Sequence, residues 1–411
     1  MTLGVLLGFS FLGALSSQSL MDLFMALSCF WGLYVFFKEE DSRSRKQYLI
    51  EFFKSTFFRV FLFWWVVVIS GFIFAPIREV DYSLTRILEF RWIFFLFFAI
   101  YFFRKFRIQE KYFFYLNFAL VFFAAYACGL YFLGYDPLKS DGENTLIAAA
   151  GISRTGGLVG NSMTYAHMYG PVGLVLLGLF TSNSKYRHWF LLGGALVLAS
   201  VLLTFTRGVW VGALVGALLI GFAYQVRWGV GFTGLLAVLF VSLFFAWRDF
   251  QTRILYVFDS TSYDATRLWL WKANLEVFKD HPIVGAGYGI NSKILPTYFE
   301  KLGAPADTLV SHAHNQFLHL LAGTGILGLV CYLSLHALSF MQAYRLLKVP
   351  KVSAFEKSLL LGVLGALVAF NVGSLTESNF EHSKVRTICL LFWALCWGLH
   401  FKHFVKPQSS S

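Results

Sequence analysis

The stretch Val310-Ser311-His312-Ala313-His314-Asn315-Gln316 closes a polar segment, and residues 316–343 after it run without a single Lys, Arg, Asp or Glu. A helix that crosses a bilayer needs about 20 apolar residues. The junction at Asn315 is therefore where the chain leaves water for lipid. A histidine at that junction can reach a polar substrate held by lipid, and imidazole titrates near neutral pH, which suits proton transfer.

Outward from this junction the same reading finds twelve apolar runs. They lie near 2–16, 19–37, 56–76, 88–103, 112–134, 166–182, 189–205, 209–225, 229–247, 316–343, 356–374 and 386–403. The break between the first two, Ser16-Ser17-Gln18-Ser19, is the slightest. Composition agrees: 14% of residues are charged and 57% are hydrophobic, whereas soluble domains carry about 25% charge. The expected fold is an all-α polytopic membrane protein with about 12 transmembrane helices, one integral membrane domain over residues 1–411. Residues 1–16 lack a basic n-region and a small-residue cleavage site, so they are read as retained. The five cysteines all fall inside apolar runs without CxxC spacing and read as packing residues.

Charge orders the runs. Lys38, Arg43, Arg45, Lys46 and Lys54 follow the second, Arg104, Lys105, Arg107 and Lys111 the fourth, Lys185 and Arg187 the sixth. Arg227 follows the eighth, Arg345, Lys348, Lys351 and Lys357 the tenth, Lys402 and Lys406 the twelfth. Every even-numbered run ends in basic residues, so the positive-inside rule puts both termini in the cytoplasm. The net charge of +12 is then a matter of topology, and nucleic acid is not an expected partner.

In that orientation the outer side carries three distinctive segments, near 135–165, 248–315 and 375–385, besides the tight turn 204–208 between the seventh and eighth runs. The longest, 248–315 between the ninth and tenth runs, exceeds the roughly 15 residues beyond which a connection usually carries function. Within it, 264–279 reads as an amphipathic helix with Leu268, Trp271, Leu275 and Phe278 on one face, stopped by His281-Pro282. It is expected to lie along the outer membrane boundary among membrane lipids. Gly285-Ala286-Gly287-Tyr288-Gly289 reads as a close-packed turn and lacks the Lys and Ser/Thr of a phosphate-binding loop. The tail from Pro407 to Ser411 reads as disordered.

Three outer positions carry candidate chemistry. Arg207 sits in the turn Thr206-Arg207-Gly208, where an arginine between two apolar helices needs an anion or water and a glycine lets a ligand approach. Arg267 opens the amphipathic helix. His314 stands at the start of the tenth run, with His312 and His319 as neighbours. A snorkelling arginine, a headgroup anchor and a capping histidine are the plain readings of these three. A metal site is not expected: His314 to His319 is a spacing of five, and His312-Ala313-His314 has no Cys or carboxylate nearby. Scattered outer acids give no paired carboxylates for hydrolysis. Two arginines, one histidine and no metal suit a lipid-linked diphosphate sugar. Guanidinium forks bind phosphate oxygens bidentately and keep their charge, and a histidine can take the proton of an acceptor hydroxyl. The alternative class is a twelve-helix transporter, but its binding groups belong near mid-membrane, where these runs are aromatic and aliphatic.

At these residues the chain resembles the O-antigen ligase family, whose wider group includes Wzy-type polymerases. The family pattern is His followed by Asn, Ser or Gln, nine residues, then Gly-x-x with Gly, Thr or Tyr; His314-Asn315 through Gly325 and Gly328 match it without a gap. Thr206-Arg207-Gly208, the segment from Arg267 to Gly287 and Gly156-Gly157-Leu158-Val159-Gly160-Asn161-Ser162 are similar too. The resemblance covers about 150–330. It implies a GT-C-like glycosyltransferase of the bacterial inner membrane that works without metal or other cofactor and inverts the anomeric centre. It further implies transfer, on the periplasmic face, of a glycan from undecaprenyl diphosphate to lipid A–core oligosaccharide. Arg207 and Arg267 would hold the diphosphate and His314 would activate the acceptor. Asn315 would orient His314 or cap its helix and is counted, with Arg154, among the substrate-binding candidates. A polymerase and a protein O-oligosaccharyltransferase share the core pattern. Arg253, Lys293 and Glu377 also lie on the outer side, without a spacing that selects them.

Overall fold

The computed structural model describes residues 2–38, 40–74, 87–135, 152–256, 263–305, 308 and 311–404. Much of the first outer segment, Asp259, Asp307 and the tail beyond 404 lie outside the described residues. Sixteen α-helices are present among them: α1 Thr2–Ala14, α2 Gln18–Lys38, α3 Ser42–Lys54, α4 Thr56–Ile73, α5 Trp92–Lys105, α6 Glu110–Leu133, α7 Ser162–Phe180 and α8 Arg187–Leu202. They continue with α9 Arg207–Tyr224, α10 Val226–Ala246, α11 Arg248–Leu255, α12 Tyr263–Asp280, α13 Asn291–Leu302, α14 Gln316–Leu347, α15 Ala354–Gly373 and α16 Ser383–Phe404. This is an all-α, multi-pass membrane protein.

All twelve expected runs are helical, but only nine helices among the described residues are long and apolar enough to cross a membrane. The other three, α1, α5 and α8, have 13, 14 and 16 residues, or about 20–24 Å at 1.5 Å per residue. The basic segment after α2 is also a helix, α3, which Asp41 caps by accepting from the Ser44 backbone N–H.

Small residues build the centre. In lipid no hydrophobic force pairs helices, so close backbone approach supplies the contact. α7 and α9 both pack on α15. A Cβ on Gly178 would lie 2.3 Å from Gly362 Cα, and one on Gly216 would lie 2.5 Å from the Gly365 carbonyl oxygen. The hydrophobic stretches of α15 and α16 are 78% and 83% buried while that of α10 is 6% buried, so α15 and α16 form the spine and α10 is a peripheral helix. Ser353 and Glu356 form a reciprocal cap at the start of α15. Glu356 also pairs with Lys402 of α16 at 2.9 Å, fixing the end of the bundle remote from Gly373.

The glycines after His314 break a helix. Gly325 sits inside α14 at φ 63°, ψ −168°, a conformation open in practice only to glycine. The break frees backbone groups, and the turn after α12 pairs with them. Ile326 N donates to Pro282 O at 2.9 Å, Ala286 N to Ala322 O at 2.8 Å and Gly287 N to Gly323 O at 3.0 Å. A Cβ on Gly325 would stand 2.2 Å from the Ile283 carbonyl oxygen. The close-packed 285–289 turn thus docks α12 against the first half of α14, and with it Arg267 against the His314 junction.

α12 itself starts and stops within one residue of expectation. Leu270, Ala273, Asn274 and Val277 are buried, packing toward α13 and α14. Leu268 and Leu275 of the apolar face expected at the membrane boundary are 54% and 41% exposed. Period alone could not choose, because both sides of this helix carry apolar residues.

Candidate functional site

Gln316, wholly buried, ties the start of α14 to the connection between α15 and α16. Its backbone N–H donates to Ser374 O at 2.8 Å, and its side-chain oxygen accepts from Phe380 N at 3.0 Å. Ser374 Oγ donates to Asn379 Oδ1 at 2.8 Å and Asn379 Nδ2 to Phe370 O at 3.2 Å. This lattice of short-range bonds carries Glu377 to the histidines.

Glu377 is 2% exposed. Its Oε2 accepts from His314 Nδ1 at 3.0 Å, while Oε1 accepts from His312 Nε2 and, at 3.0 Å, from Ser378 N. Burial works to raise its pKa, but the hydrogen bonds and charge of His312 and His314 win, holding the carboxyl well below the usual range. The His314 ring turns its Nδ1 to Glu377, so that in its neutral form the proton sits on Nδ1 and the lone pair on Nε2. That Nε2 is buried without a hydrogen-bond partner.

The backbone here is strained. Among the described residues two non-glycine positions have positive φ, Phe205 at 52° and His314 at 46°. Each costs of order 1–2 kcal/mol, and such strain concentrates at functional sites. One is His314 itself; the other lies two residues before Arg207.

Arg154, Arg207, Arg253 and Arg267 line one cavity of about 70 Å³, together with Met163, His167, Thr206, Gly208, Thr376 and Glu377. That is several times the roughly 10–15 Å³ one water needs by the same measure. Backbone oxygens anchor each guanidinium. Arg154 Nε donates to Thr204 O at 2.6 Å, Arg207 Nη1 to Arg253 O at 3.0 Å, Arg253 Nε to Phe205 O at 3.1 Å and Arg267 Nη1 to Thr376 O at 3.3 Å. Arg207 is the first residue of α9, and its cap residue Thr206 makes no side-chain cap bond. The partly positive helix end therefore also faces the cavity. Among the described residues that line it, four cationic side chains meet one carboxylate, and guanidinium forks of this kind suit phosphate oxygens.

The structure brings Arg207, Arg267 and Arg154 to this cavity, with His314 one hydrogen bond away through Glu377. It does not bring Asn315. Asn315 Oδ1 accepts from Phe317 N at 3.0 Å and Leu318 N at 3.1 Å, so the side chain caps α14 and stays out of the cavity wall. Gly208 also differs from expectation: its φ is ordinary, and the missing side chain makes room for Thr376, whose Oγ1 would lie 1.8 Å from a Cβ. Arg253, His167, Thr376 and Glu377 were not selected by spacing. A lone acid among Ser374, Thr376 and Ser378 at the end of an apolar run was the available signal for Glu377. Nothing in its sequence neighbourhood marks Arg253 out from Arg248. The expectation of no metal rested on the lack of a nearby carboxylate, and Glu377 supplies one: donor atoms of His312, His314 and Glu377 lie within 4.8 Å of one another.

Residues 192–333 match a family model described as O-antigen ligase. No curated protein matches the chain. The matched span runs from within α8 to within α14 and holds Arg207, Arg253, Arg267, His312 and His314, while Arg154 and Glu377 lie outside it. Over this span, about a third of its length, the chain is similar to the O-antigen ligase family.

Proposed function

We propose that this protein transfers a glycan from undecaprenyl diphosphate to lipid A–core oligosaccharide on the periplasmic face of the bacterial inner membrane. The observation that carries the reading is the four-arginine cavity with Glu377 on its wall and His314 hydrogen-bonded to that carboxylate. Like charges gathered on the wall of one cavity repel one another. A bound diphosphate reverses that cost.

In this mechanism Arg207 and Arg267, with Arg154 and Arg253, bind the phosphate oxygens and stabilise the charge that grows as the glycosyl bond breaks. His314 Nε2 takes the proton of the acceptor hydroxyl, whose oxygen attacks the anomeric carbon from the face opposite the departing diphosphate and inverts it. Glu377 keeps the ring in the accepting tautomer and stabilises the imidazolium that forms, as a carboxylate does behind a catalytic histidine. The cavity is large enough for phosphate groups, not for a glycan chain, so the sugars lie beyond it.

The test is transfer by purified protein, with labelled undecaprenyl-diphosphate glycan, lipid A–core and a chelator. Label on lipid A–core is the expected outcome. Lengthening of the lipid-linked glycan instead makes the protein a polymerase, and label on neither acceptor removes the proposal.

A further inference from the structure

We propose that His312, His314 and Glu377 form a binding site for a zinc-like divalent cation, and that occupancy switches off the proton-accepting nitrogen of His314. The switching half rests on the role given to His314 above; the binding half does not. Two imidazoles and one carboxylate are the donor set of open, three-ligand zinc sites. Magnesium and calcium favour six or more oxygens and are poorly served here. The spacing is close to what a shared ion needs. Zinc–ligand bonds of about 2.0–2.2 Å in tetrahedral geometry place donors roughly 3.3 Å apart, and His314 Nδ1 already lies 3.0 Å from Glu377 Oε2. All three donors fall within 4.8 Å of one another, the one such trio among the described residues. The His312 side chain is 32% exposed against 7% for His314, so an ion and a fourth, water ligand enter past His312.

Chemistry sets the consequence. In the ion-free site the Nδ1–H of His314 points at Glu377 and Nε2 holds the lone pair. A cation on Nδ1 displaces that proton, and the neutral ring then carries its hydrogen on Nε2. The orphaned Nε2 becomes a donor and can no longer accept from a hydroxyl. The ion also takes Glu377 from its task. The arginines around the cavity repel a cation and weaken binding relative to the same three ligands alone. The site is thus suited to reversible inhibition by zinc outside the membrane, not to a permanently held metal.

The experiment is titration of untagged, purified full-length protein in detergent with Co²⁺, read by visible absorption, followed by Zn²⁺ displacement. One equivalent with a tetrahedral spectrum is expected, and His312→Gln, His312→Ala and Glu377→Gln should each bind more than about tenfold more weakly while unfolding as cooperatively as the parent. Parent affinity equal to that of the variants overturns the site. In parallel, glycan transfer should fall as Zn²⁺ saturates the site and return with chelator. Saturation with transfer unchanged overturns the switch. A protein that transfers no glycan even without Zn²⁺ refutes the functional reading instead, and the Co²⁺ spectrum still decides the site.

Discussion

At the residue scale the site depends on forks and one tautomer. Arg207 and Arg267 were legible because an arginine beside apolar helices demands an explanation; Glu377 was not, because it meets His314 across 63 positions of sequence and only tertiary bonds through Gln316 bring it there. Arg207→Lys keeps the charge but loses the planar fork. At about 1.5–3 kcal/mol for a charged hydrogen bond, transfer should fall roughly 10- to 100-fold, with the protein still folded in the membrane; a lysine variant at parental rate would remove the bidentate role. His314→Ala should lower the rate by about 10²–10⁴, the usual range for a positioned base. In the proposed mechanism Glu377 acts through His314, so the double variant His314→Ala/Glu377→Gln should be no slower than His314→Ala alone. Multiplying losses in that cycle would assign Glu377 an independent job.

At the element scale, the glycine spacing that follows His314 is a folding device. The sequence pattern located it, but only the structure says why: Gly325 opens α14 so that the 282–287 turn can pair with the freed backbone. A helix read from hydrophobicity alone has no reason to break there, since residues 316–343 stay apolar on both sides. Gly325→Ala adds a Cβ 2.2 Å from Ile283 O at φ 63°. The backbone strain alone costs about 1–3 kcal/mol, and the turn has to move besides. The variant should show a lowered unfolding temperature in detergent, and transfer reduced through displacement of α12 and Arg267. Unchanged stability would mean that the break is not needed. Which side of α12 packs on protein was not legible: Leu268 and Leu275 are as apolar as Leu270 and Val277, so tertiary pairing with α13 and α14 made the choice.

At the scale of the whole molecule, the place and order of the twelve apolar helices were legible because lipid imposes them, but not that three of them are too short to be counted as spans. Each apolar run has to satisfy its own backbone hydrogen bonds as a helix, and basic residues cluster on one side. Which helices meet was not legible, because the contacts depend on scattered glycines such as Gly178, Gly216, Gly362 and Gly365 and not on periodicity. The chemistry proposed here also fixes an orientation, since the arginine cavity has to open where the flipped donor waits. The part of α14 after the break at Gly325, about 33 Å at 1.5 Å per residue, lies between exposed Glu300 in α13 and exposed Lys348 at the far end of α14. In a background with the five cysteines replaced, Glu300→Cys should react with a membrane-impermeant maleimide added to intact spheroplasts. Lys348→Cys should react only after permeabilisation. The reverse pattern would put the cavity, His314 and Glu377 on the cytoplasmic side, where a periplasmic glycan donor never arrives, and the transfer mechanism would fail even with every side chain in its place.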